Sequence, residues 1–62
     1  MKEYRIYDFQ GEIINIVQAQ SFEDAFNKVL GRYAHKEVAP DKNYDICIKC
    51  ENEVKYIWVR WG

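Results

Sequence analysis

The chain has 62 residues and a mass of 7.5 kDa, with nine Lys and Arg against ten Asp and Glu and a single His. This is one small domain over residues 1–62: at 48% hydrophobic and 31% charged it is too apolar to stay disordered, and no apolar run approaches the roughly 18 residues of a membrane-spanning helix. A charge of −1 and a pI near 5.7 give no global attraction to phosphate backbones, and Lys2, Glu3 and Arg5 stand where a secretory signal carries its apolar stretch, so a cytoplasmic protein with no membrane partner is expected.

Seven Ile and five Val against one Leu favour strands over most of the length. Two strands are predicted near residues 3–9 and 12–19, joined at Asp8-Phe9-Gln10-Gly11. With Gly11 in the left-handed position after a type I turn, Asp8 pairs with Glu12, Ile6 with Ile14 and Tyr4 with Ile16, which gathers the apolar side chains of both strands on one face. A two-residue turn would set Ile6 opposite Asn15 and Tyr4 opposite Val17, a poorer apolar face, so the first register is expected.

A helix follows. Phe22, Ala25, Phe26, Val29, Leu30 and Tyr33 recur in steps of three and four, with Glu23, Asp24, Asn27, Lys28 and Arg32 between them. Ser21 stands at the N-cap with Asp24 three residues on, and acids lead while Arg32, His35 and Lys36 trail. Glycine costs about 1 kcal/mol relative to Ala inside a helix, so the helix either stops at Gly31 or runs on to about His35. Pro40, with Asp41 and Asn43, marks a loop over residues 36–43. Tyr44 to Cys50 then alternates, with Tyr44, Ile46, Ile48 and Cys50 toward the core; Glu51-Asn52-Glu53 is a turn, and Val54 to Trp61 is a last strand. The order ββαββ predicts a two-layer α+β domain, a four-stranded antiparallel sheet with one helix packed on one face.

One helix covers one face, and the other face must meet water or a partner. The last strand is apolar on both sides of its pleat: with Ile57 and Val59 toward the helix, Tyr56, Trp58 and Arg60 point away, and in the opposite register Ile57, Val59 and Trp61 do. The first hairpin turns Arg5, Tyr7, Ile13 and Val17 outward. A water-facing sheet normally carries polar residues there, and Tyr, Trp and Arg dominate binding hot spots. Tyr7, Tyr56, Trp58, Arg60, Arg5 and Lys49 are therefore the candidate interface of a non-enzymatic protein-binding module. Its partner is another protein or a second copy, since a two-fold dimer would supply the core that so short a chain lacks. The competing account is that single surface aromatics are ordinary and that the 36–43 loop, with Val38 and Ala39, folds over part of the face.

The residues that look chemical point elsewhere. Cys47 and Cys50 form a Cys-x-x-Cys, but residues three apart on a strand lie on opposite faces roughly 10 Å apart, beyond the reach of a disulfide, and zinc would need two further ligands. No metal, cofactor or small-molecule substrate is expected. Ser21 reads as a cap, Glu51 and Glu53 as solvated turn acids, and His35 as a solvated side chain at the helix end. An enzyme would need His35 beside a carboxylate in a concave pocket. Single-stranded nucleic acid ranks second as a partner: Arg5, Tyr7, Lys49, Tyr56, Trp58 and Arg60 interleave cations with rings, and Lys28, Arg32 and Lys36 add a basic stripe along the helix.

A Tyr-rich first strand, the Asp8-x-x-Gly11 hairpin, Ala19-x-Ser21-Phe22-Glu23-Asp24-Ala25 opening a helix, and a second hairpin together resemble the layout of many tiny ββαββ proteins of bacteria and their phages. That resemblance implies a protein that attaches to a host protein and modulates it, and it carries over no site residues.

Overall fold

At Gly31 the chain leaves its helix and re-enters the sheet. The computed structural model describes residues 1–61, in the order β1 (Lys2–Asp8), β2 (Ile13–Ala19), α1 (Phe22–Leu30), β3 (Ala34–Val38), β4 (Ile46–Cys50) and β5 (Glu53–Arg60). Among these residues the architecture is α+β, one helix over a five-stranded antiparallel sheet of order β2-β1-β4-β5-β3. The expected four strands are thus one too few. Ala34–Val38, read as helix end and loop, pairs along β5 with Lys36 opposite Trp58 and Val38 opposite Tyr56.

Both ends of α1 have local causes. Ser21 Oγ accepts the Asp24 amide at 3.0 Å, satisfying one donor of the first turn, and the Asp24 carboxylate reaches back to accept the amide of Gln20, the residue before the cap, at 3.1 Å. At the other end Gly31 has an ordinary right-handed φ of −62°. Its need for glycine is steric, because a Cβ there would run into the Asn27 carbonyl oxygen.

The first hairpin obeys both candidate registers in turn. At its tip Gly11 has φ 86°, its amide donates to Asp8 O at 3.0 Å, and the Asp8 amide donates to Glu12 O at 2.9 Å, as the left-handed glycine after a type I turn requires. Tyr7 faces Ile13, but one residue further the ladder shifts and Ile6 pairs with Asn15, Arg5 with Ile16 and Tyr4 with Val17. The expected Ile6–Ile14 and Tyr4–Ile16 pairs do not form, and Ile14 is the extra residue of a bulge. Ala19 explains the shift. It is wholly buried in the core with Ala25 and Phe26 of the helix, and alternation counted back from that fixed point puts Val17 inward and Ile16 outward.

The core is Tyr4, Ile6, Ile46, Ile48, Ile57 and Val59 from the sheet against Ala25 and Phe26. Tyr44, expected on this side, precedes β4 and instead packs its ring 4.8 Å from that of Tyr56 on the opposite face. Next to it, the Asp45 carboxylate accepts the Val59 amide at 2.7 Å and the Trp61 indole N–H at 3.2 Å, serving the end of β5 that runs past the start of β4.

Candidate binding face

Ile57 and Val59 are buried toward the helix, which settles the side on which the rest of β5 lies: Val54, Tyr56, Trp58 and Arg60 occupy the opposite face, with Trp58 38% exposed. The ladders extend that face across the sheet. Arg5 and Tyr7 share it with Lys49 and Cys47, and β3 adds Lys36 and Val38. One row, Ile13–Tyr7–Cys47–Tyr56–Val38, crosses all five strands, and a second runs Ile16–Arg5–Lys49–Val54. All six expected interface residues, Arg5, Tyr7, Lys49, Tyr56, Trp58 and Arg60, therefore lie on one face. Val17 does not join them, because the bulge turns it inward.

Rings and cations on this face are paired. The Lys49 ammonium lies 4.9 Å from the Tyr7 centroid and that of Lys36 lies 5.6 Å from the Trp58 centroid. Between Tyr7 and Tyr56, Cys47 is buried, and burial pushes its thiol up from the ordinary value of 9.0 against the weaker downward pull of Lys49. It is a neutral packing group rather than a nucleophile. Beside Trp58 an open groove of about 480 Å³ is lined by Lys36, Glu37, Val38, Ala39, Lys42 and Asn43, so the 39–43 segment borders the face and leaves the indole reachable.

Charge is segregated. The strand positions of the open face hold four cations, Arg5, Lys36, Lys49 and Arg60, and one carboxylate, Glu3. With nine basic and ten acidic residues in the chain, that leaves five cations and nine carboxylates elsewhere. The near-neutral total conceals a basic, ring-bearing face on an acidic molecule.

The chain matches no protein-family model, no curated protein and no solved structure. Its resemblance to small ββαββ proteins is one of layout, from which β3 departs.

The helix-covered side holds the other cluster. His35 is not a solvated residue of the helix end: it lies on β3, its ring stacked on Phe26 at 3.7 Å and 26°, with Nε2 3.1 Å from the Glu23 carboxylate. A shallow pocket of about 140 Å³ adjoins them, with Glu37 and Lys55 paired at 3.4 Å across it. The lining has no Ser, Thr or Cys. Cys47 and Cys50 are free thiols on opposite faces of β4, Glu51 pairs with Lys2, and Ser21 is the cap. Among the described residues no group of three or more His, Cys, Asp or Glu is placed to hold a metal, and no helix is long and apolar enough to cross a membrane.

Lys36, Val38, Lys42, Asn43 and Tyr44 belong to the open face: Lys36 was expected on the helix stripe and Tyr44 in the core, and Val38 arrives on a strand, not on a loop folded over the face. Pairing of β3 brings in the first two. A short strand carrying charge and followed by Pro40 is what a protected sheet edge looks like, and that was the available signal.

Proposed function

We propose that the protein is a small non-enzymatic binding module whose working surface is the sheet face opposite α1. The observation that carries this reading is the content of that face: Tyr7, Tyr56 and Trp58 with Arg5, Lys36, Lys49 and Arg60, at positions where a solvated sheet carries small polar residues. Charge bears on the choice between a foreign partner and a second copy. Packing this face on itself would set four cations and one carboxylate against the same set, so an isologous dimer through it is electrostatically opposed and a foreign partner is favoured.

The covered side supports the non-enzymatic part of the reading. His35 does stand beside a carboxylate at a pocket, the arrangement an enzyme would need. Yet its ring is fixed by Phe26, its Nε2 is taken by Glu23, and the neighbouring ammonium and carboxylate satisfy each other. With no Ser, Thr or Cys in the lining, its Lys55 ammonium and Glu37 carboxylate paired with each other, and a volume fit for a few waters, the cluster reads as a clasp between α1 and β3.

Sedimentation equilibrium over a concentration series tests the reading together with Tyr56→Thr/Trp58→Thr, which removes both rings while keeping strand propensity. The expected result is a monomer at every concentration and a variant that still unfolds cooperatively in urea. A dimer that Trp58→Thr dissociates, or a double variant that cannot fold, overturns it.

A further inference from the structure

We propose that the partner of the open face is single-stranded nucleic acid, an inference that rests on the reading of that face as the working surface. The occupant must be anionic, because the face carries four cations to one carboxylate while the rest of the molecule carries the reverse excess. It must also offer flat apolar surfaces. Tyr56 and Trp58 stand two residues apart on β5, about 7 Å along the strand, and Lys36 and Lys49 sit against the rings of Trp58 and Tyr7. A base stacked on such a ring leaves its phosphate within reach of the adjacent ammonium. An acidic polypeptide would satisfy the cations and leave the rings unused; a duplex keeps its bases stacked on one another and away from a flat sheet. The groove beside Trp58 adds Lys42 for a phosphate and the Asn43 amide, donor and acceptor, for a base edge; the Glu37 carboxylate also lines it and is paired with Lys55 at 3.4 Å.

The test is fluorescence anisotropy of labelled, mixed-sequence single-stranded DNA and RNA of about 12 nucleotides, within the range one small β-domain spans. The same duplex and a labelled polyglutamate serve as the other arms, each titrated over a salt series. Phosphate contacts to the four strand cations, leaving Lys42 aside, predict that log K falls with log salt at a slope of about −3 for a single strand. Lys36→Gln/Lys49→Gln is expected to halve that slope, Trp58→Leu to weaken binding roughly tenfold at an unchanged slope, and Lys55→Gln on the covered side to change neither. The DNA and RNA arms show which sugar is preferred. Absence of binding to either strand at low salt overturns the proposal, as does equal binding of the duplex or indifference to Trp58→Leu. Polyglutamate binding that Lys49→Gln abolishes, with no oligonucleotide binding, overturns nucleic acid as the partner and leaves the open face as the working surface.

Discussion

Arg5 and Lys49 face each other directly across β1 and β4, two cations at neighbouring positions of the open face. Like charges opposite one another work against a sheet. Each is relieved elsewhere, Arg5 by Glu3 at 3.2 Å and Lys49 by the Tyr7 ring at 4.9 Å, and neither by the other. Lys49→Glu would turn the repulsion into a cross-strand ion pair. The urea midpoint is expected to stay level or rise while oligonucleotide affinity falls at least tenfold, with a salt slope flatter by about 0.7 or more. A variant that loses stability and keeps its affinity would show that Lys49 serves the fold.

His35 joins the edge strand β3 to α1 by two contacts of unequal weight. The Glu23 side chain is 66% exposed, so its pairing with His35 is screened and worth at most about 1 kcal/mol. The stack on Phe26 lies over the buried core and adds about 0.5–1.5 kcal/mol beyond the area it covers. Glu23→Gln is therefore expected to cost under about 0.5 kcal/mol in urea denaturation, His35→Ala about 2 kcal/mol, and His35→Phe to recover most of that loss. Equal costs for Glu23→Gln and His35→Ala would assign the clasp to the ion pair.

Gly31 tests a sign. At a helical φ of −62°, replacing glycine with alanine ordinarily stabilises a protein by about 0.4–1 kcal/mol. Here the new methyl would meet the Asn27 carbonyl oxygen, a backbone atom that cannot swing aside. Gly31→Ala is expected to lower stability by about 1–3 kcal/mol, seen as a reduced Tm. A raised Tm would mean that the chain relaxes there at little cost and that the start of β3 is set by its pairing with β5 alone.

What was legible in the sequence divides along physical lines. Ser21, Asp24 and the stripe from Phe22 to Leu30 carry their signal locally, and α1 lies where they place it. The alternation of β4 and β5 is equally local, but both sides of β5 are apolar, and only the burial of Ile57 and Val59 decides that Tyr56, Trp58 and Arg60 face outward; Arg5 and Tyr7 join them and Lys49 through the β1–β4 ladder. β3 was illegible because its inward residues are His35 and Glu37, polar side chains that face the covered side through a ring stack and an ion pair and leave no apolar period to read. The register of β2 was illegible for another reason. Ile14 and Ile16 are better apolar partners than Asn15 and Val17 when the hairpin is considered alone, and what overrules them is the burial of Ala19 against a helix that the hairpin does not contain. Tyr44 shows the same limit, an alternation extended past the point where the strand begins.

β2 leaves one further consequence at the sheet's outer edge. From Ile13 to Phe22 the chain carries no charge, and Ile13, Ile14 and Ile16 are each about half exposed, at 48%, 48% and 53%. An uncharged, isoleucine-rich edge is a template for another strand. Two side chains occupy its free backbone groups: Asn15 Oδ1 accepts the Ile16 amide at 2.8 Å, and Lys28, reaching down from α1, donates to the Gln18 carbonyl at 2.7 Å. Since residues of an antiparallel strand present both backbone groups to the same side in alternation, Ile13, Ile16 and Gln18 are turned away from β1, and the last two each have one group covered. Asn15→Val with Lys28→Ala removes both covers without adding charge. Sedimentation velocity is expected to show a monomer for the parent, weak association for either single variant, and concentration-dependent oligomers for the double variant. Lys36→Ala on β3 should stay monomeric, because His35 and Glu37 still mark that edge. A double variant that remains monomeric throughout would place the protection in the bulge at Ile14, whose kink bends the edge away from a straight partner.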